Sequence, residues 1–155
     1  MPPDRAFVFG PGEGRAIDLG NFAMTVKATA DDTGGAFSLL EATEPPGFGP
    51  PLHVHTNAAE AFYVLDGLYR IFVDDDVFAC PAGSFTYIPA GRRHGFRVGD
   101  VASRKLNLYA PAAMTGYFDE LSVLIATGEP DPDAVDRIGR RYGMDVLGPV
   151  PEGYL

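Results

Sequence analysis

Three histidines and one glutamate, in two short segments, are the residues of this sequence best suited to chemistry. His53 and His55 are two residues apart in a β-prone run, and alternate residues of a strand point to the same face, so both imidazoles can reach one point. Glu60 follows a short polar turn at the start of the next apolar run, so its carboxylate can approach from beside the histidines. His94, the third of the three histidines in the chain, comes just after a Pro/Gly turn.

These four side chains predict a site for a divalent metal ion. Three neutral imidazoles and a carboxylate suit Fe, Mn, Ni, Cu, Co or Zn, and the absence of thiolates disfavours a closed structural zinc site. Cys80 is the one cysteine, and we interpret it as a small buried residue. The predicted metal centre keeps coordination positions open.

The region from about 21 to 111 has the pattern of an all-β fold. Short runs rich in β-branched and aromatic residues alternate with clusters of Gly, Pro and Asp, and Asp66-Gly67 fits a tight hairpin. The predicted strands cover 24–29, 36–43, 61–65, 69–73, 84–88, 95–98 and 104–109. This pattern is typical of an antiparallel barrel or sandwich.

The sequence predicts two short helices after Pro111. Residues 115–126 carry apolar side chains at helical spacing. A second helix, ending before Gly143, is indicated by Asp131 as N-cap and Pro132 in the first helical position. We expect both helices to pack on the outside of the barrel and the tail 146–155 to be irregular. Residues 1–155 are thus predicted to form one domain, with the barrel core at about 21–111 and the helices at about 115–143.

Composition and charge limit the partners that this chain can have. It is 46% hydrophobic and 21% charged, which favours a folded domain over a disordered one. A net charge of −9 disfavours a nucleic-acid partner. No apolar run approaches the roughly 18 residues of a membrane span, and we find neither a signal peptide nor a pair of cysteines for a disulfide. The prediction is a cytoplasmic protein without a membrane partner.

The two segments resemble the two signature motifs of the cupin superfamily. The first motif, a glycine, His-x-His, a glutamate and a second glycine, is matched at Gly47, His53, His55, Glu60 and Gly67. The second motif is matched at Gly83, Pro89, Gly91 and His94. Val98 stands where that motif has asparagine, a residue that is not a metal ligand in the family. The short segment between the motifs is similar to that of compact microbial cupins.

This resemblance implies a jelly-roll barrel, a conical antiparallel barrel with the metal inside near one end, and a homodimer. It leaves the reaction open, because cupins include dioxygenases, isomerases, cyclases, lyases and proteins that only bind ligands. Fold is weak evidence for function.

The hypothesis that we favour is a metal-dependent dioxygenase acting on a small aromatic or phenolic compound, similar to quercetinase-like cupins. Glu60 would be a fourth ligand or, swung away, the base that takes a substrate proton. The expected substrate pocket includes Phe62, Tyr87, Phe96, Asn107 and Tyr109, although aromatic residues of strands usually belong to the core. The alternatives are a non-oxidative metal-dependent isomerase, cyclase or lyase, and a non-enzymatic small-molecule-binding cupin.

Overall fold

A computed structural model describes residues 4–149 and places eleven strands and three helices within that range. The strands are β1 (Arg15–Asp18), β2 (Ala23–Ala28), β3 (Ser38–Glu44), β4 (Leu52–His55), β5 (Ala59–Asp66), β6 (Leu68–Val73), β7 (Asp76–Pro81), β8 (Phe85–Ile88), β9 (His94–Val98), β10 (Ser103–Ala110) and β11 (Met144–Gly148). The helices are α1 (Ala30–Thr33), α2 (Thr115–Ala126) and α3 (Pro132–Arg141).

The strands form two antiparallel sheets that face each other as a jelly-roll barrel. One sheet has the order β1-β2-β3-β10-β5-β8 and the other has the order β11-β4-β9-β6-β7. The inward side chains of β3, β5 and β10 alternate with outward ones, as expected for strands with one buried face. The predicted antiparallel jelly roll is confirmed.

Each strand predicted from the sequence lies within an observed strand or overlaps one. The predicted strands do not include β1, β4, β7 and β11, although His53 and His55 of β4 lie in a β-prone run. Nearly every residue of β7 is exposed, so the strand lacks the apolar alternation that identifies a half-buried strand. Since β1 and β11 belong to the sheets, the barrel extends beyond the predicted range 21–111. The prediction of an irregular tail is wrong for 146–148, and 150–155 lie outside the described residues.

Both predicted helices are confirmed. Asp131 caps α3 by accepting a hydrogen bond from the backbone N–H of Asp133 at 3.2 Å. The inner face of α2 carries Tyr117, Phe118 and Leu121, which join the core cluster of β2 and β3 rather than covering an outer face. No helix between residues 4 and 149 has the length and apolar character that crossing a bilayer requires.

A charged pair is buried inside the barrel beside the apolar core. Lys105 Nζ donates to Glu44 Oε1 at 2.9 Å, and the Tyr69 hydroxyl donates to the same oxygen at 2.8 Å. The ammonium group also lies 4.2 Å from the centroid of the Phe96 ring, within cation–π range. Because Lys105 is 0% exposed, each charge depends on the other for the solvation that water would provide.

We predict that Lys105→Met strongly destabilises the protein, because it leaves the Glu44 carboxylate buried without a counter-charge. The expected loss in free energy of unfolding is about 3–5 kcal/mol, measured by urea titration with circular dichroism. A second change, Glu44→Gln, should recover much of this loss, since a neutral amide still accepts the bond from Tyr69. The matched control is Lys27→Met, which removes a partly exposed lysine and should cost about 1 kcal/mol or less.

Candidate metal centre

The four residues singled out in the sequence meet at one point of the barrel interior. His53 and His55 come from β4, Glu60 from the start of β5 and His94 from the start of β9. All four are buried, and one ligand atom from each lies within 4.8 Å of the other three. The strands explain the arrangement, because His53 is directly opposite His94 in the β4–β9 pairing.

The turn before His94 joins the two segments. Gly91 has φ of +86°, a conformation that glycine adopts without the steric cost met by other residues. Its N–H donates to the carbonyl oxygen of His55 at 2.8 Å. The glycine therefore fixes the start of β9, and with it His94, against the strand that carries the other two histidines.

Backbone carbonyls orient two of the imidazoles. His53 Nδ1 lies 2.8 Å from the Pro51 oxygen, and His94 Nδ1 lies 2.9 Å from the Arg92 oxygen. A carbonyl oxygen only accepts, so each Nδ1 carries a proton. The Nε2 of His53 then has a free lone pair, whereas the Nε2 of His94 donates to the Glu60 carboxylate at 3.0 Å. Histidines that bind metals are usually held in this way by a second partner.

The surroundings of His55 and Glu60 show whether a metal ion fits this cluster. Glu60 Oε2 lies 2.8 Å from His55 Nε2 and 3.0 Å from His94 Nε2. Only the contact with His94 has the geometry of a hydrogen bond, and neither ring nitrogen of His55 has a hydrogen-bond partner within residues 4–149. Buried polar atoms are rarely left without a partner, so a cation bound between these groups would account for the His55 ring.

The electrostatics of the cluster favour a cation. Burial and the neighbouring His94 lower the pKa of His53 to about 3, which leaves this ring neutral at pH 7. Burial opposes ionisation of Glu60, but His55 and His94 outweigh it and hold the pKa of its carboxyl well below the usual value. Burial likewise acts to lower the pKa of His94, and the Glu60 carboxylate overcomes this and raises it. Neutral imidazole and ionised carboxylate are the forms that bind divalent metals. His53 and Glu60 already have these forms, and a bound cation would replace the proton that His94 donates to Glu60.

The metal-ligand cluster opens onto a cavity of about 310 Å³. His53, His55 and Glu60 line it, whereas His94, which is 1% exposed, does not. Three of the residues predicted for the pocket also line it, namely Phe96, Asn107 and Tyr109.

Two residues predicted for the pocket do not line this cavity. Phe62 is buried in a separate apolar cluster with Tyr69 and Phe96. Tyr87 is 61% exposed on the outer face of β8, so its assignment to the pocket is wrong. The physical reason is strand parity, because the side chain of Ile88, the next residue along, takes the inward position.

The predicted pocket lacks much of the apolar wall of the cavity. This wall includes Phe22, Phe48, Met114, Tyr117, Phe118, Leu121 and Val135. Several of these residues belong to α2 and α3, which close over the end of the barrel. The helical spacing of residues 115–126 identifies their apolar face, but it does not identify the surface against which that face packs.

The geometry predicts that His94→Ala abolishes tight metal binding. His94 is one of four protein ligands, and its Nε2 also holds the Glu60 carboxylate at 3.0 Å. The measurement is elemental analysis of the purified variant after dialysis, beside Tyr87→Phe as a control on the outer face. Stoichiometric metal in the His94 variant would contradict the assignment of this centre.

Comparison with known proteins agrees with the fold. Residues 40–104 match the cupin domain family. Quercetin 2,3-dioxygenase of Bacillus subtilis (strain 168) is 32% identical over 92 residues, which are 59% of this chain and 27% of that protein. The chain spans less than a third of the length of the curated relatives that it matches.

Two solved structures have the same fold at low sequence identity. KdgF from Halomonas sp. has a TM-score of 0.62 and 16% identity, covering 69% of this chain and 94% of the other. An RmlC-like cupin from Shewanella frigidimarina has a TM-score of 0.61 and 18% identity, covering 72% and 96%. Both motifs lie within residues 40–104, which form a compact cupin domain.

Proposed function

We propose that this protein is a metal-dependent dioxygenase that acts on a small aromatic or phenolic compound of the quercetin class. The observation that carries the proposal is the buried His/Glu cluster, which opens directly onto a cavity with an aromatic wall. The sequence similarity to quercetin 2,3-dioxygenase supports it. That relative is longer than this chain, which covers 27% of it.

The cavity suits a planar apolar ligand. Phe48 and Phe96 lie on the barrel side, with ring centroids 6.2 Å apart, and Tyr117 and Phe118 lie on the helix side. Aromatic side chains bind apolar rings with large buried area and specific ring geometry. The apolar side chains of α2 and α3 that line the cavity reduce the contact of such a ligand with water, which strengthens polar contacts inside the cavity.

His53, His55, Glu60 and His94 would hold the metal ion. When bound, a divalent metal supplies a positive centre with open positions for a substrate oxygen. The low pKa of Glu60 keeps the carboxylate ionised, so it is available to take the proton of a substrate hydroxyl group. A base of low pKa is a weak base, so this transfer requires a hydroxyl whose own pKa is lowered.

Tyr109 complements Glu60 in the cavity. It is directly opposite Glu60 in the pairing of β10 with β5. Burial and the charge of Glu60 raise the pKa of Tyr109 well above its usual value, so its hydroxyl stays protonated and can donate to a substrate oxygen. Glu60 and Tyr109 thus offer an acceptor and a donor side by side.

The same acid–base pair favours a second candidate function, a non-oxidative isomerase, cyclase or lyase. In such chemistry the metal would act on a substrate oxygen as a Lewis acid and lower the pKa of the substrate group, so that Glu60 could accept its proton while Tyr109 donates a hydrogen bond to a substrate oxygen. Dependence on dioxygen separates this candidate from the first.

We predict stoichiometric Fe, Mn, Ni or Cu in protein purified without added metal, and oxygen uptake when quercetin is added.

Glu60→Gln should lower turnover by about 100-fold or more, because it removes the base. The matched control, Glu129→Gln, changes an exposed glutamate far along the sequence and should keep full turnover. Bound zinc, or turnover that is the same under nitrogen, would favour the non-oxidative enzyme, and absence of metal would contradict both.

We also propose that the protein forms a homodimer through the outer face of β5 and β8. Phe85 is 66% exposed on the edge strand β8, and it is directly opposite the exposed Tyr63 of β5. Together with Tyr87 these residues form an aromatic patch, and exposed apolar patches commonly mark interaction surfaces. A second copy of the chain is the occupant that we propose.

The expected result for the double variant Phe85→Lys/Tyr87→Lys is a monomer, because burying two ammonium groups in the interface is costly. Size-exclusion chromatography with light scattering measures the mass. Val123→Lys, at an exposed apolar position of α2, is the control and should remain dimeric. A monomeric wild-type protein, or a dimeric double variant, would exclude this interface.

A further inference from the structure

Strand β10 carries a row of polar side chains on its inner face. Lys105, Asn107 and Tyr109 alternate with outward residues and are all buried. In the pairing with β5, Tyr109 is opposite Glu60 and Asn107 is opposite Phe62. Residues two apart in a strand are separated by about 7 Å, so Asn107 lies about that far along the cavity wall from the level of the metal cluster.

Asn107 has an acceptor atom that the described part of the chain leaves unsatisfied. The residue is 3% exposed and lines the cavity, yet its Oδ1 has no hydrogen-bond partner between residues 4 and 149. Its amide nitrogen faces the Tyr109 hydroxyl, where it acts as a donor and partly offsets the rise in the pKa of that group. An unsatisfied buried acceptor lowers stability, and a donor brought by a ligand would remove that penalty.

The polar groups near Asn107 do not provide this donor. Lys105 Nζ and the Tyr69 hydroxyl both donate to Glu44 Oε1, and the ammonium group is covered by the ring of Phe96. Glu44 lines the same cavity, so the wall beyond Asn107 presents a second acceptor group. This part of the cavity favours a ligand group that donates hydrogen bonds and disfavours an anionic group.

We propose that Asn107 determines specificity by accepting a hydrogen bond from a hydroxyl group of the ligand, remote from the oxygen that meets the metal. The ligand is then an aromatic compound with at least two hydroxyl groups, one directed to the metal cluster and one to Asn107. The contact of a hydroxyl group with the metal cluster rests on the proposed function. The contact of a hydroxyl group with Asn107 depends only on the unsatisfied Oδ1, and it is tested separately.

The experiment measures binding of phenol and anisole to the full-length, zinc-loaded protein by NMR titration, so that turnover plays no part. The two probes are similar in shape, but only phenol donates a hydrogen bond. The wild-type protein should bind phenol more tightly than anisole by about tenfold, the size expected for one neutral hydrogen bond. Asn107→Leu, which removes the acceptor and keeps an apolar side chain of similar size, should abolish this preference.

The variant Asn107→Asp separates the acceptor role of the side-chain oxygen from the donor role of the amide nitrogen. It keeps an oxygen acceptor in either protonation state but removes the donor that faces Tyr109, so it should keep the preference for phenol. Equal loss of the preference in both variants would show that Asn107 acts through Tyr109, and an unchanged preference in Asn107→Leu would show that the hydroxyl binds elsewhere. Either result overturns the proposal, as does failure of the wild-type protein to bind either probe.

The same variants distinguish this proposal from the proposed function. Circular dichroism and metal content confirm that each variant is folded and loaded, since Asn107 is not one of the four ligands. With Zn in the site and oxygen excluded, quercetin should bind more tightly than 3-hydroxyflavone, which lacks the remote hydroxyl groups, and Asn107→Leu should reduce this difference about tenfold. The wild-type protein could prefer quercetin to 3-hydroxyflavone and yet show no oxygen uptake with its native metal. That result would contradict the proposed dioxygenase activity and would leave the role of Asn107 intact. Equal affinities for the two flavonols would overturn the proposed ligand class.

Discussion

The interaction on which the site depends is the contact of one buried carboxylate with two imidazoles. Glu60 Oε2 lies 2.8 Å from His55 Nε2 and 3.0 Å from His94 Nε2. A carboxylate in an apolar interior is costly unless it is paired, so this cluster of ligating atoms requires positive charge. Three strands, the Gly91 turn and two backbone carbonyls hold the histidines around that point, and a divalent cation is the partner that their chemistry fits.

The same electrostatic constraint recurs deeper in the barrel. Glu44 is stabilised there by Lys105 and by the Tyr69 hydroxyl, without a metal. On the inner face of β10, Asn107 lies between Lys105, which pairs with Glu44, and Tyr109, which is opposite Glu60. The acceptor oxygen of Asn107 remains unsatisfied within the described residues. The inner face of β10 therefore adds polar groups to a cavity wall that is otherwise largely apolar, which is the arrangement expected of a cavity that orients a ligand.

The helices complete this cavity. Without α2 and α3, the aromatic residues of the barrel would face an open end. With the helices, Tyr117, Phe118 and Leu121 form a second apolar wall. Arg141 and Tyr142 tie the end of α3 to Glu120 of α2, and β11 pairs with the strand that carries His53 and His55. The C-terminal segment thus supports the metal centre as well as covering the cavity.

The sequence by itself identified the four side chains of the His/Glu cluster and most of the strands, because both depend on local rules. Side chains two apart in a strand share a face, and a glycine turn places His94 at the start of β9. Local rules do not decide which inward side chains reach a cavity. Tyr87 and Asn107 both lie in strands, but one is exposed on the outer face and the other borders the cavity, since only the packing of the two sheets and helices sets which side is enclosed. The unsatisfied oxygen of Asn107 is likewise a property of the tertiary structure, because it depends on what every neighbouring strand brings near it.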